Sequence, residues 1–214
     1  MKAMILAAGF GKRLGDITEN KPKPLVQVQG KCLIDHHIEK LLFAKIKQIT
    51  INTHYLAEQI ANHVTSKYSD LADISIVYEK EILGTGGGIL NATKNFGSED
   101  FVVINSDIYS DYDYSKFKNK SSTKVFVVPN DNNSGDFTVK DGTVMLGEKK
   151  DFTWTGFSVI NRDIIMSCQK EKFHYWEDCL KIHAASNMLE AEILNINWYD
   201  VGSIDVLNYL NKES

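Results

Sequence analysis

Ala3-Met4-Ile5-Leu6-Ala7-Ala8-Gly9-Phe10-Gly11-Lys12-Arg13-Leu14 opens a chain of 214 residues, and its reading decides the fold. Six consecutive apolar residues ended by glycine predict a strand buried on both faces, as in sheets covered by helices on either side. Gly9 and Gly11 predict a sharp turn whose successive N–H groups point into one concavity, a shape suited to a phosphate chain. Small Ala7 and Ala8 leave room for a base or ribose against the backbone. Lys12 and Arg13 add charge, and an Arg fork grips phosphate oxygens in pairs. A plain strand-to-loop turn with solvated cations has the same composition, so the stretch gains its meaning from its neighbours.

Two other phosphate-binding patterns fail on this stretch. No GxxxxGK followed by Ser or Thr occurs. Gly9, Gly11 and Gly15 make GxGxxxG rather than GxGxxG, and the chain then runs into a proline-containing loop instead of a helix.

Downstream, the apolar period predicts helices at Leu33–Phe43, Leu56–Val64 and Gly87–Phe96. Between them, β-branched runs predict strands at Gln48–Asn52, Ile74–Tyr78 and Phe101–Asn105. Strands alternating with helices imply crossovers, and so a mainly parallel, doubly wound α/β sheet with helices on both faces. Past Asp107 the rhythm changes to strands at Lys124–Pro129, Phe137–Lys140, Thr143–Leu146 and Thr153–Ile160, with an Asp141-Gly142 turn. Helices are expected at Asp163–Gln169 and Tyr175–Ala184, strands at Ala191–Asn195 and Trp198–Val201, and a last helix capped by Ser203. One domain over 1–214 is expected, residues 1–110 serving a nucleotide and 111–214 a second substrate.

Composition narrows the function. The net charge of −4 gives no global reason to bind nucleic acid. Cys32, Cys168 and Cys179 form no CxxC pair and read as reduced thiols. The first apolar run is too short for a membrane span or secretory core. The expectation is a cytoplasmic protein with no membrane partner, a monomer by default.

Three further signals carry chemistry. Lys21-Pro22-Lys23-Pro24-Leu25 flanks one lysine with prolines that fix its backbone, which suits a preorganised cation meeting developing negative charge. Phe101-Val-Val-Ile-Asn105-Ser-Asp107 and Trp198-Tyr-Asp200 are apolar stretches that finish in an acid. Strand-end carboxylates lie where open α/β sheets bind ligands, and Mg²⁺ is commonly held by one or two of them plus substrate phosphates. Glu81-Ile-Leu-Gly84-Thr85-Gly86-Gly87-Gly88 runs into a helix and lets a ligand approach the backbone.

Taken together, GxGxR and Pro-Lys-Pro-Leu behind an N-terminal strand resemble the sugar-1-phosphate nucleotidyltransferases. Asn52-Thr-His54, Thr85-Gly-Gly-Gly88, Asn105-x-Asp107, Gly135-Asp136-Phe137 and Thr155-Gly156-Phe-Ser are most similar to the branch that uridylylates N-acetylmuramate 1-phosphate. The resemblance implies a Rossmann-like fold and a Mg²⁺-dependent reaction of UTP or another nucleoside triphosphate with a sugar 1-phosphate. It implies a triphosphate held by Ala8, Gly9, Gly11, Lys12 and Arg13, and Lys23 at the α-phosphate. Base and ribose would meet Asn52, Glu81, Gly84, Thr85, Gly86 and Asn105. The sugar phosphate would meet Gly135, Asp136, Thr155 and Gly156, and the metal Asp107 and Asp200. Ser106 departs from the family's usual glycine, and Glu148-Lys149-Lys150 is all that matches its Glu-Lys-Pro stretch. Two other readings stay open: a glycosyltransferase using Asp111-Tyr-Asp113, which would release a nucleoside diphosphate, and a module that binds nucleotide without turnover.

Overall fold

A computed structural model describes residues 1–117 and 123–212. The elements run β1 (Lys2–Ala7), β2 (Gln27–Val28), β3 (Lys31–Cys32), α1 (Leu33–Phe43), β4 (Gln48–Thr53), α2 (Ala57–Tyr68), β5 (Asp73–Tyr78), α3 (Gly84–Ala92), β6 (Phe101–Asn105) and β7 (Ile108–Ser110). They continue with β8 (Lys124–Pro129), β9 (Thr138–Lys140), β10 (Thr143–Met145), β11 (Phe152–Ile160), α4 (Asp163–Met166), α5 (Lys181–Ala185), β12 (Glu190–Ile193), β13 (Trp198–Asp200) and α6 (Ile204–Lys212).

Nine strands form one sheet in the order β5-β4-β1-β6-β11-β8-β12-β10-β9. The first four are mutually parallel, and only β11 and β10 run against the common direction. The period-2 alternation of β1 splits its side chains between two cores. Ala3, Ile5 and Ala7 meet Ile34, Ile38 and Leu41 of α1 and Ile60 and Val64 of α2. Met4 faces the other way, towards Ile89 of α3, Ile164 and Ile165 of α4, and Leu180 and Ala184. Helices therefore cover both faces, as the uninterrupted apolar run requires.

A smaller third cluster anchors the segments that carry charge. Leu14, Val26, Val28 and Leu33 pack with Val201, Leu207 and Leu210. Asn211 of α6 ties this together by accepting from Gln29 N (2.8 Å) and donating to Gln27 O (3.2 Å). Ser203 caps α6 as expected, its hydroxyl accepting from Val206 N at 3.4 Å.

Several boundaries differ from the sequence expectation. The α2 helix continues to Tyr68, because Tyr68 is buried and hydrogen-bonds Asp35 of α1 at 2.9 Å. The α3 helix covers Gly84–Ala92 rather than Gly87–Phe96, since its glycines pack against a neighbouring segment. The expected 175–184 helix is a π turn at Trp176–Leu180 followed by α5. Strand β7 and the β2–β3 hairpin have no counterpart in the sequence expectation; β2 and β3 are two residues each, too short for a period, and β7 follows directly on the Asp107 turn.

One buried polar cluster joins α1 to α2. The Asp35 side chain is 4% exposed and accepts from His63 Nε2 (2.8 Å), Tyr68 Oη (2.9 Å) and Lys67 Nζ (3.0 Å). Burial pushes the carboxyl up, but the hydrogen bonds from His63, Lys67 and Tyr68 outweigh it and hold it below the usual carboxylate range. Its stabilising effect is thus present above the unfolded-state value of about 4 and is lost as pH falls through the lower folded-state value. Asp35→Asn is expected to cost about 3 kcal/mol at neutral pH, the order found for breaking a buried ion pair. Urea unfolding across a pH series should show that gap narrowing below about pH 4; a gap that stayed constant would contradict the assignment.

Candidate active site

The parallel pairing of β1 with β4 and β6 aligns Leu6 with Asn52 on one side and with Asn105 on the other. All three strands therefore end at one sheet edge, and a cleft of about 330 Å³ opens there. Its walls are the β1 turn (Ala8, Gly9, Phe10), Lys23 and Pro24, the 82–85 segment with Gly84 and Thr85, and Asn105, Ser106 and Asp107. Asn52 and Glu79 close the β4–β5 side, and His174 also lines the cleft.

The glycine turn and the lysine are built against each other. Gly11 has φ 69°, and a Cβ there would lie 3.0 Å from Lys23 Cβ and 3.1 Å from Thr18 Cγ2. Thr18 Oγ1 donates to Gly11 O at 3.0 Å, and Leu14 N donates to the same carbonyl at 3.0 Å. Lys23 sits in a short 3₁₀ turn stapled by Leu25 N to Pro22 O at 2.8 Å, and is only 8% exposed. Its stem is buried by that packing, and its ammonium points at acids.

Those acids arrive by a pairing of two short strands. β7 runs antiparallel to β13, with Ile108 opposite Asp200, and Val201 N donates to Asp107 O at 2.9 Å. Asp107 and Asp200, 93 positions apart in the chain, are thereby brought side by side. Lys23 Nζ lies 2.7 Å from Asp107 Oδ2 and 3.9 Å from Asp200 Oδ1. Arg13 reaches Asp200 Oδ2 at 3.4 Å from the solvent side. Lys23 and Asp107 line the cleft, and Asp200 and Arg13 join them through these ion pairs, so four charged groups converge at its edge.

A divalent cation fits this pair of acids. Asp200 Oδ1 is buried and has no hydrogen-bond partner, an orphaned acceptor beside a second carboxylate. Hard oxygens of this kind suit Mg²⁺, which takes one or two carboxylates and leaves its remaining positions to phosphates and water. By contrast, Cys32, Asp35 and His63 bring three ligand-type atoms within 4.8 Å, but Asp35 is already committed to His63, Tyr68 and the Lys67 cation.

Not every expected residue faces the cleft. Glu81 does not line it; that side chain is exposed and ion-paired with Lys172. Glu79, two residues earlier, lies there instead, 2% exposed. The strand-end rule that found Asp107 would also have found Glu79, which directly follows the Ile74–Tyr78 run. Gly86 is turned to packing: its N–H donates to Phe173 O at 3.0 Å, and a Cβ would lie 2.3 Å from the Phe173 ring. Lys12 is exposed, its ammonium 5.1 Å from the centre of the Phe10 ring. Gly135 has no room for a Cβ, which would lie 2.3 Å from Phe152 O. The Thr155 hydroxyl is buried and donates to Phe126 O at 2.7 Å. Asp136 is exposed and accepts from Trp154 N at 2.8 Å. Gly156, at φ 80°, forms a bulge in β11 pressed onto the Asn105 side chain, where a Cβ would lie 2.8 Å from Nδ2.

His174 has no signal in the sequence. It belongs to a segment clamped on the α3 entry through Phe173 N to Leu83 O (3.0 Å) and Tyr175 N to Thr85 Oγ1 (2.9 Å). No local pattern marks it, because only the fold brings residue 174 to residue 84.

Residues 2–139 match the model of the family described as "Nucleotidyl transferase". The chain belongs to this family. It is 29% identical to the N-acetylmuramate alpha-1-phosphate uridylyltransferase of Neisseria meningitidis serogroup B, over 95% of this chain and 94% of that protein. It is 28% identical to the bifunctional protein GlmU of Methanocaldococcus jannaschii, over 94% of this chain but 51% of that longer protein. Among solved structures, HddC from Yersinia pseudotuberculosis complexed with GMP-PN superposes with a TM-score of 0.84 at 26% identity, covering 99% of this chain and 98% of that one. A putative glucose-1-phosphate thymidylyltransferase from Bacillus anthracis, at 20% identity and a TM-score of 0.88 over 100% of this chain and 94% of that one, shares the fold.

The Arg13–Asp200 contact depends on a glycine. A Cβ on Gly202 would lie 2.3 Å from Arg13 Nη1, and the exposed arginine can swing away at little cost. Gly202→Ala is therefore expected to leave the urea midpoint near its original value while weakening triphosphate affinity several-fold in calorimetry. Unchanged affinity would mean that Arg13 does not serve the phosphates from this position.

Proposed function

We propose that the chain transfers a uridylyl group from UTP to N-acetylmuramate 1-phosphate or a closely related sugar 1-phosphate, releasing pyrophosphate. The single observation that carries the reaction class is the convergence of Lys23, Asp107, Asp200 and Arg13 at the edge of a cleft built from the β1 turn. Pure nucleotide binding has no need of two carboxylates beside a buried lysine. The substrate pair is supported by 29% identity to the Neisseria uridylyltransferase along nearly the full length of both chains. The likeness to HddC complexed with GMP-PN supports a guanine nucleotide as the second reading.

In the reaction, an oxygen of the sugar phosphate attacks the α-phosphorus in line, the bond to the β-phosphate oxygen breaks, and pyrophosphate leaves with its electron pair. The attacking phosphate is already ionised, so no covalent nucleophile is needed. Backbone N–H groups of the Ala8–Gly11 turn receive the phosphates. Lys23, held by Pro22 and Pro24, offsets negative charge that builds at the α-phosphate, and Arg13 faces the leaving group. Asp107 and Asp200 would hold Mg²⁺, which when bound draws charge from the phosphate oxygens. In this reading Lys23 must leave Asp107 for the substrate; until then its ammonium offsets the charge of Asp107, while Arg13 pairs with Asp200. Asp136 and Gly156 remain the candidates on the sugar side.

Pyrophosphate release with Mg²⁺ tests this directly, crossing UTP, dTTP, CTP, GTP and ATP with N-acetylmuramate, N-acetylglucosamine, glucose and mannose 1-phosphates. Release for UTP with N-acetylmuramate 1-phosphate is expected. GTP with a mannose-type sugar would favour the second reading, and release of a nucleoside diphosphate from a nucleotide sugar would replace both with a glycosyltransferase. Lys23→Ala and Asp107→Asn should each lower kcat by about 10²–10³-fold, the usual loss for one electrostatic partner of the transition state. A Lys23→Ala enzyme that kept most of its rate would sink the mechanism.

A further inference from the structure

Asn52 and Glu79 are polar residues 2% exposed, at the ends of β4 and β5, and neither is spare. Asn52 Oδ1 accepts from Ala7 N at 2.9 Å, where β1 leaves the sheet for the glycine turn. Asn52 Nδ2 donates to Glu79 Oε1 at 2.6 Å, and Glu79 Oε2 accepts from Leu83 N at 3.1 Å, immediately before α3. One unbroken line of hydrogen bonds therefore runs Ala7–Asn52–Glu79–Leu83 across the floor of the cleft. It links the turn expected to hold phosphates to the loop expected to hold base and ribose.

The helix above is shaped to this pair. A Cβ on Gly88 would lie 2.6 Å from Asn52 Nδ2 and 2.7 Å from Glu79 Oε1, so α3 rests directly on the two polar heads. The direction of each bond is forced. Both backbone groups at the ends are donors, so the two side chains must between them offer an acceptor at each end and one donor in the middle. An amide paired with a carboxylate meets that requirement.

We propose that Asn52 and Glu79 form a positioning strut that sets the spacing between the β1 turn and the α3 entry, and so governs nucleotide affinity without touching the reacting atoms. The proposal rests on the nucleotidyltransferase reading for its enzymatic readout. The hydrogen-bond logic makes it testable by exchange. Glu79→Gln leaves a donor facing a donor at one end or the other. Asn52→Asp sets two carboxylates against each other. In the double variant every bond returns with its middle link reversed. The new carboxylate at position 52 accepts both from Ala7 N–H and from the new amide at position 79. The carbonyl of that amide accepts from Leu83 N–H.

Each single variant should raise the nucleotide KM about tenfold or more, with most of the change in KM rather than kcat, as the loss of one charge-assisted hydrogen bond allows. The double variant should regain most of that loss. Amide hydrogen exchange at Ala7 and Leu83, which needs no substrate, should quicken in each single variant and slow again in the double. Restored exchange protection with no enzyme activity in any variant, the original chain included, would uphold the strut and count against the substrates chosen. A double variant no better than the worse single one would overturn the proposal. So would singles that disturb exchange while leaving KM untouched, because the pair would then only stabilise the fold. A Glu79→Gln enzyme that changes base preference at unchanged overall affinity would overturn it too, making Glu79 a direct base contact.

Discussion

The parallel pairing of β1 between β4 and β6 is the constraint on which the site depends. Parallel neighbours share a direction, so residues following their last paired positions emerge at the same edge. That edge receives the glycine turn after β1, the polar end of β4 and the Asn-Ser-Asp end of β6 without any further device. The crossovers through α1, α2 and α3 then cover both faces, which is why the strands can be apolar throughout. Ala3, Ile5 and Ala7 on one side and Met4 on the other show one six-residue strand feeding two cores at once.

Charge is concentrated where the chain as a whole would not suggest it. The net charge is −4, yet Lys23 and Arg13 stand together at the sheet edge beside Asp107 and Asp200. A buried ammonium is costly unless paired, and here the pairing is supplied by the acids read as metal ligands. The same proximity that stabilises Lys23 holds both carboxylates beside it, and one buried oxygen of Asp200 has no hydrogen-bond partner. The third apolar cluster, from Leu14 to Leu210, keeps these groups in register by tying the glycine loop, the proline turn and α6 into one unit.

The glycines divide into those with open space around them and those pressed against a neighbouring segment. Gly9 has open space around it. Gly86, Gly87 and Gly88 instead let α3 approach Phe173, Glu171 and the Asn52–Glu79 pair at distances no side chain permits. A glycine-rich sequence before a helix thus has two physical explanations, and only neighbours from elsewhere in the chain distinguish them.

The sequence by itself determined the elements with strong periodicity and the residues adjacent to them. α1 at Leu33–Phe43, β6 at Phe101–Asn105 and β8 at Lys124–Pro129 fall where the pattern puts them, because burial of one or both faces leaves a local imprint. Lys23 and Asp107 were legible for the same reason: prolines and a strand end are local facts. What only the tertiary structure decided was adjacency. The meeting of Asp107 with Asp200 depends on the pairing of β13 with β7, and β7 left no period to read in the sequence. The approach of His174 to Gly84, and the exchange of Glu81 for Glu79, depend on which side of a loop faces the cleft. Local sequence encodes which residues must be buried, whereas the partner each one is buried against is set by long-range packing that no single window contains.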